Sequence, residues 1–310
     1  MAQEVSLREA YGQTLLELGL ENPDIVVLDA DLSKSTMTHF FAREIPERFF
    51  ECGIAEQNMI SIAAGLAASG KIAFASTFAV FAPGRCFDQI RMSIAQPQLN
   101  VKIVATHGGI TVGEDGTSHQ AVEDLALICS LPGFTVIVPA DAIETAQAVE
   151  AAVTNYGPFY IRLCRPKSQL VYSQDYRFQL GKAVTLRKGK DVTIIAIGLM
   201  VKEALEAAQN LKGEGIDCQV LNMPTLKPLD QAAIVDAAGT GAIVTAEEHL
   251  EHGGLGSMVA RVVAQHRPVP MEMVALHSYA KSGKPAELLE RYGLTAGDIE
   301  KAVKSVIKRK

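Results

Sequence analysis

The stretch "FFECGIAEQNMISIAAGLAASG" (residues 49–70) begins as a short strand and continues as a helix with almost no polar surface. Within "MISIAAGLAA" only Ser61 is polar. A helix without a wet face should be covered by another layer or another subunit. At the turn between strand and helix stands one carboxylate, Glu56. An acid in the first turn is favourable at the positive end of the helix dipole, which explains most isolated glutamates so placed. Beside a buried helix the carboxylate is also partly desolvated, which favours proton sharing with a basic ligand atom. A catalytic acid fits this position, although the position alone names no reaction.

The same strand–helix alternation runs through the chain. "DIVVLDA", "KIAFAS", "NVKIVATH" and "FTVIVPA" are short, apolar and bounded by turn residues, as buried strands are. "DAIETAQAVEAAV" reads as a helix with Asp141 as its N-cap. The pattern lapses in the polar stretch "RPKSQLVYSQDYRFQLGKAV", which carries Pro166, and resumes with "DVTIIAIG", "DCQVLNM", "GAIVTAEE" and "VPMEMVAL". The helix after the first of these places Val201, Ala204, Leu205 and Ala208 on one face, with Gly213 marking its end. The expected fold class is α/β, with two doubly wound domains and mainly parallel sheets. Residues 1–180, with the start of the linker, form the first domain, and residues 181–310 the smaller second one.

Bulk properties narrow the function classes. The net charge of −6 gives no electrostatic case for nucleic acid or an anionic membrane surface. The charged start "MAQEVSLREA" has no secretory pattern. The longest apolar stretch, Met59 to Phe81, is broken by Ser61, Ser69, Gly70, Lys71 and Ser76, against a membrane span. Five scattered cysteines without paired spacing fit reduced thiols, so the expected location is the cytoplasm.

Three further stretches carry candidate chemistry. In "THGGITVGEDGTSHQAVEDLALI" a strand ends at Thr106, and a Gly-rich loop then presents His107, Glu114, Asp115 and His119. Loops at the carboxyl ends of parallel strands are where α/β sheets bind ligands, and two imidazoles in one loop are a common acid–base pair. Thr117 and Gln120 fit a capping box, which accounts for part of the polarity but needs neither histidine nor Asp115. Metal ligation is the weaker reading, because the histidines lack a short helical spacing. In "STFAVFAPGR", Phe78 and Phe81 are spaced as core residues often are, and directly after a strand they can also flank a flat heterocycle. Arg8, Arg85, Arg91 and Arg165 are candidate anion contacts, Arg165 best placed because it follows the strand "FYIRLC". "EHGGLGSMVARVV" lacks the full dinucleotide glycine pattern and reads as a tight turn into a helix.

Taken together, "GIAEQNM", "STFAVF" and "GEDGTSHQ" resemble the C-terminal half of transketolase, a thiamine diphosphate enzyme, in the family's order and approximate spacing. The resemblance covers essentially the whole chain, with a pyrimidine-binding domain first and the C-terminal domain second. It implies that Glu56 hydrogen-bonds the aminopyrimidine ring nitrogen. That bond promotes the imino tautomer, whose nitrogen removes the thiazolium proton and generates the ylid. By the same likeness Phe78 and Phe81 pack on the pyrimidine. His107, Asp115 and His119 bind sugar hydroxyls and assist proton transfer, while Arg8, Ser35 and Arg165 contact the substrate phosphate with His107 nearby. Asp31 matches an acid near the cofactor and the neighbouring subunit.

The departures are informative. Gly84 stands where transketolases often place a third aromatic, "GTSHQ" replaces the commoner "GPTHQ", and "IAEQ" has no arginine before the glutamate. Thiamine enzymes hold the diphosphate through Mg²⁺ with a "GDG" and a following asparagine, hard oxygen ligands that this chain lacks. The resemblance therefore implies a split transketolase subunit. Its partner, an N-terminal diphosphate-binding chain, supplies the Mg²⁺ ligands, this chain supplies none, and the two form an α2β2 assembly acting on ketose and aldose phosphates. A deoxyxylulose phosphate synthase, the β subunit of a 2-oxoacid dehydrogenase and a non-catalytic assembly subunit are the alternatives. Arg8, Ser35 and Arg165 favour sugar phosphates over 2-oxoacids, and a scaffold needs neither Glu56 nor the histidines.

Overall fold

In the first half of the chain the strands are apolar throughout because both faces of their sheet are covered. Every residue of Ile25–Asp29, Val101–Thr106 and Phe159–Arg162 is buried in the computed structural model, which describes residues 4–310. Residues 1–3 of the charged start lie outside the described residues. The seven-stranded sheet runs Thr225–Lys227, Thr135–Ile137, Phe159–Arg162, Val101–Thr106, Ile72–Phe78, Ile25–Asp29, Phe49–Glu51. Its last six strands are parallel, whereas Thr225–Lys227 pairs antiparallel with Thr135–Ile137. That edge strand comes from the second half of the chain, which the sequence pattern did not foretell.

The second sheet has five strands in the order Met271–Leu276, Ile243–Leu250, Val192–Ala196, Cys218–Asn222, Val184–Arg187. All are parallel except the edge strand Val184–Arg187. The α/β class with mainly parallel sheets is thus observed. The stretch read as an irregular connection is partly structured, because Ser168–Gln169 pairs with Glu4–Val5.

Helix ends follow local chemistry. Asp141 caps Ala142–Thr154 by accepting from the Glu144 N–H at 2.8 Å. Met200–Gly213 buries Val201, Ala204 and Ala208 as its spacing requires. Gly213 is its last residue rather than its stop, and the left-handed turn falls at Gly215, φ 85°. Within the chain, helix Glu56–Ala68 is covered on one face. Met59, Ile60, Ala63, Ala64 and Ala67 pack against the first sheet, whereas Gln57, Asn58, Ser61, Ile62 and Gly65 form an exposed row. Burying Met59 and Ile60 contributes about 1.5–3 kcal/mol each, which seats the helix and with it Glu56.

The two sheets meet at a buried carboxylate. Glu144 accepts from Asn222 Nδ2 at 3.0 Å to both oxygens, from Tyr176 OH at 2.7 Å and from the Ala140 N–H at 2.8 Å. Burial pushes its carboxyl up to about 7, against about 4.3 in an unfolded chain. Unfolding in that window releases a proton. The contribution of Glu144 to stability is therefore full below the unfolded value and is lost as the pH rises through about 7. Asp29, pushed up by burial to about 6, acts in the same direction. The melting temperature should fall between about pH 5 and about pH 8, and Glu144→Gln should flatten that slope by a few degrees. An unchanged slope in thermal melts of the variant would show that Glu144 is ionised in the folded chain across the whole range.

Candidate active site

Because six neighbouring strands are parallel, the residues that follow them gather at one edge of the sheet. Ala30 and Asp31 follow Ile25–Asp29, the turn to Glu56 follows Phe49–Glu51, and Phe81 follows Ile72–Phe78, whose last residue is Phe78. His107 follows Val101–Thr106, and Arg165 follows Phe159–Arg162. The sequence candidates thus come from five strands to one face.

Glu56 is the first residue of its helix and is only 6% exposed. Its Oε1 lies 2.9 Å from Arg85 Nη1, and the Arg85 guanidinium carbon sits 4.0 Å from the Phe81 ring centroid. The desolvated carboxylate therefore has a cationic partner within the chain, which sequence reading had not assigned. A cleft of about 350 Å³ opens beside the pair, lined by Asp31, Ile54, Glu56, Phe81, Arg85 and His119. Phe78 and Phe81 stack with centroids 5.7 Å apart, and a Cβ at Gly84 would meet nothing within 4 Å. The carboxylate and the aromatic pair fit the aminopyrimidine of thiamine. Among the described residues no three His, Cys, Asp or Glu side chains cluster as metal ligands.

His107 adopts φ 60°, is buried, and stacks on Phe78 at 3.8 Å between centroids. Its Nδ1 lies 2.9 Å from Thr106 Oγ1. Burial, then Arg8, Arg165 and His119, push its pKa down to about 3, so the ring is neutral at pH 7. His119 reaches the same aromatics, 5.4 Å from Phe81 edge to face. Arg8 donates to the Ser35 carbonyl at 2.7 Å and to the Arg165 carbonyl at 3.1 Å. Arg165 lies 3.6 Å from Glu114 and 3.7 Å from Asp115. The structure thus joins Arg8, Ser35, Arg165, Asp115 and His107 in one cluster. Arg91 stands apart and, among the described residues, pairs with Asp88, at 3.7 Å.

The capping box expected at Thr117 and Gln120 does not form. Thr117 Oγ1 donates to the Ala280 carbonyl at 2.6 Å and Gln120 Nε2 to the Lys281 carbonyl at 3.0 Å, and the next helix starts only at Asp124. These side chains are drawn to the second sheet's loops instead. The turn at Gly254 does open a helix, Leu255–His266, whose first amide groups are met by Glu247 at 2.7 and 2.8 Å. An internal carboxylate fills the place a phosphate takes in dinucleotide sites. Sequence reading missed Glu248 and Arg162, buried polar residues inside apolar strands. A charged residue within such a run was the available signal.

Residues 3–169 match the transketolase pyrimidine binding domain and residues 181–299 the transketolase C-terminal domain. The chain belongs to the transketolase family. A putative transketolase C-terminal section from Methanocaldococcus jannaschii is 45% identical, covering 98% of this chain and 96% of that one. A solved split-gene transketolase, an inactive β4 tetramer, is 54% identical with a TM-score of 0.93, and 99% of each chain is covered. Human transketolase is 42% identical over 99% of this chain, which spans 50% of the human protein. The chain is thus a transketolase-type subunit that corresponds to half of a full-length relative. No helix among its described residues is long and apolar enough to cross a membrane.

The electrostatics of the transketolase loop can be read directly. Ring signals of His107 followed by NMR in the purified chain should stay those of a neutral imidazole to well below its ordinary value of about 6.5. Arg8→Gln should raise that pKa without restoring the ordinary value, because burial is the larger cause. Titration of His107 near the ordinary value in the wild type would overturn this account of the site.

Proposed function

We propose that this transketolase-type chain holds the aminopyrimidine of thiamine diphosphate and the sugar phosphate, and that it transfers two-carbon ketol units together with a separate diphosphate-binding subunit. The observation that carries the reading is the buried Glu56 at its helix start, facing a cleft walled by Phe81. On this reading residues 1–180 form the pyrimidine domain and residues 181–310 the C-terminal domain, and the working location is the cytoplasm.

When bound, thiamine diphosphate supplies the nucleophilic carbon that carries the ketol unit. Glu56 hydrogen-bonds the pyrimidine nitrogen and holds the shared proton there, while Phe78 and Phe81 fix the ring plane. Asp31 borders the same pocket. Arg85 contacts Oε1 of Glu56, which leaves Oε2 for the ring nitrogen. His107, neutral and packed on Phe78, offers a hydrogen bond to a sugar oxygen without adding charge. His119 and Asp115 meet further hydroxyls, with His119 exchanging protons. Arg8 and Arg165 converge on the phosphate beside Ser35. The Mg²⁺ ligands come from the partner, which in transketolases of one chain is the preceding module.

Self-association rests on the exposed row of Glu56–Ala68 together with Ile54, 77% exposed, and Met92, 47% exposed. Apolar side chains flanking small residues allow a second helix to approach closely, and an α2β2 assembly is the proposed active form.

The decisive assay combines this chain with a candidate partner, Mg²⁺, thiamine diphosphate and a ketose phosphate donor. The chain alone should show no ketol transfer. Substantial turnover without any second polypeptide would sink the split-subunit reading. With the partner present, Glu56→Gln should assemble normally yet lose most of its turnover, because an amide cannot share a proton with the ring nitrogen. Arg165→Ala should lower kcat/KM for a ketose phosphate relative to hydroxypyruvate by roughly tenfold, about 1.4 kcal/mol. A ratio left unchanged by the substitution would place the phosphate elsewhere.

A further inference from the structure

The loop that carries His107, Asp115 and His119 is held in part from outside its own sheet. Its internal bonds are short-range, joining Gly113 to Ile110, Gly116 to Gly113 and His119 to Gly116. Its two limbs are tied once, by the Gly109 N–H to the Ala121 carbonyl at 2.8 Å, and Gly108 is tied to Leu163 at 3.0 Å. Arg165, from the first half, bonds the Val112 carbonyl and pairs with Glu114 and Asp115. Further ties come from the second half of the chain. Glu248 Oε1 accepts from the Thr111 N–H at 2.5 Å, and Glu248 Oε2 accepts from Thr111 Oγ1 at 3.2 Å. Ser282 Oγ donates to the Glu114 carbonyl at 2.5 Å, beside the Ala280 and Lys281 contacts already described.

Glu248 sits where the loop has room only for glycine. Gly109 has φ 85°, and a Cβ there would stand 2.1 Å from the Glu248 carboxyl carbon. A Cβ at Gly108 would stand 2.5 Å from Arg162 Nε. Arg162 locks the frame from behind, bonding Asp124 at 3.0 Å, the Ala121 carbonyl at 3.0 Å and the Glu248 carbonyl at 2.9 Å. The loop amide and hydroxyl of Thr111 are thus bonded to a carboxylate that belongs to the strand Ile243–Leu250 of the other sheet.

We infer that Glu248 is a positioning residue for the reaction: through Thr111 it sets the height of the histidine loop over Phe78 and Phe81, so the second sheet tunes turnover without touching substrate. The catalytic part of this inference rests on the function proposed above, whereas the bracing of the loop does not. Displacement of the loop by a fraction of an ångström changes His107 and His119 relative to the pocket, yet leaves Glu56, Phe78 and Phe81, which lie on other elements, where they are. The kinetic signature is therefore a loss in kcat at unchanged cofactor affinity.

The test uses Glu248→Ala and Glu248→Gln. Glutamine keeps the shape and can accept from the Thr111 N–H while donating to Thr111 Oγ1. Burial already pushes the Glu248 carboxyl up to about 7, so the neutral amide suits the site. Hydrogen exchange on the chain alone should rise roughly tenfold or more across residues 107–120 in the alanine variant and stay near wild type in the glutamine variant. In the assembled enzyme, kcat of the alanine variant should fall roughly ten- to a hundredfold with the half-saturating thiamine diphosphate concentration unchanged, and glutamine should restore it. Unaltered exchange in a folded Glu248→Ala chain overturns the bracing. Equal losses in both variants, or a matching loss of cofactor affinity, overturn the positioning role. Should Glu248→Ala fail to fold, Thr111→Val removes the hydroxyl contact alone and must show the same pattern in smaller degree. Raised exchange in the loop combined with a wild-type assembly that transfers no ketol unit leaves the brace standing and sinks the proposed function instead.

Discussion

Six parallel strands that end at one edge are the constraint on which the cleft depends. Parallel order lets residues far apart in sequence leave the sheet side by side, and each must turn sharply to do so. Two of the turns are strained. Asp31 has φ 62° and His107 φ 60°, a conformation costing about 1–2 kcal/mol for a residue other than glycine. Such turns persist only where the surroundings hold them. For Asp31 the hold is the 2.7 Å bond from its N–H to Glu51 on the neighbouring strand. For His107 it is the Phe78 ring and the Thr106 hydroxyl. The aromatic pair thus divides two tasks, Phe81 walling the pocket and Phe78 keeping the imidazole in place.

The strand Ile243–Leu250 shows how one strand serves two structures. Consecutive side chains in a strand point to opposite faces. Glu247 therefore turns to the start of the helix Leu255–His266, where two amide groups and the helix dipole neutralise it. Glu248 turns the other way, to Thr111 of the first sheet's loop. Swapping the two acids with the neighbouring apolar positions would leave composition unchanged and lose both contacts. A buried pair of glutamates is expensive unless each has its own donors, and here each has them.

What the sequence disclosed and what it concealed divide along the same physical line. Strands were legible because a doubly covered sheet demands unbroken apolar runs, and Asp141 was legible because an N-cap acts on its own helix. The candidate residues Glu56, Phe78, Phe81, His107, His119, Arg8 and Arg165 stood in local patterns, and the structure gathers them. Long-range partners were hidden. The Thr117–Gln120 spacing satisfies a local capping rule, but carbonyl groups more than 160 residues away captured both side chains. Likewise, nothing local in "MISIAAGLAA" separates the face that packs on the sheet from the row left exposed. The strand Thr225–Lys227 crosses to the other sheet by a pairing that periodicity cannot assign.

Charge within the molecule follows a division of labour. Arg162 and Asp124 are both buried, and removing either would strand the other in a dry interior, at a cost of several kcal/mol. That pair belongs to the frame. Two other pairs, Arg85 with Glu56 at the cleft and Arg165 with Glu114 and Asp115 in the histidine loop, each keep a cation that is substantially exposed. An exposed pair such as Arg165 with Glu114 and Asp115 is worth at most about 1 kcal/mol, because water screens it and holding long side chains costs entropy. Glu56, by contrast, is itself buried and depends more on its partner. Displacing Arg165 from its carboxylates would therefore cost little, whereas any group that replaced Arg85 beside Glu56 would have to satisfy a buried carboxylate. The chain thus keeps its charges matched in two ways, by a dry pair that fixes the frame and by partly exposed cations around the candidate site.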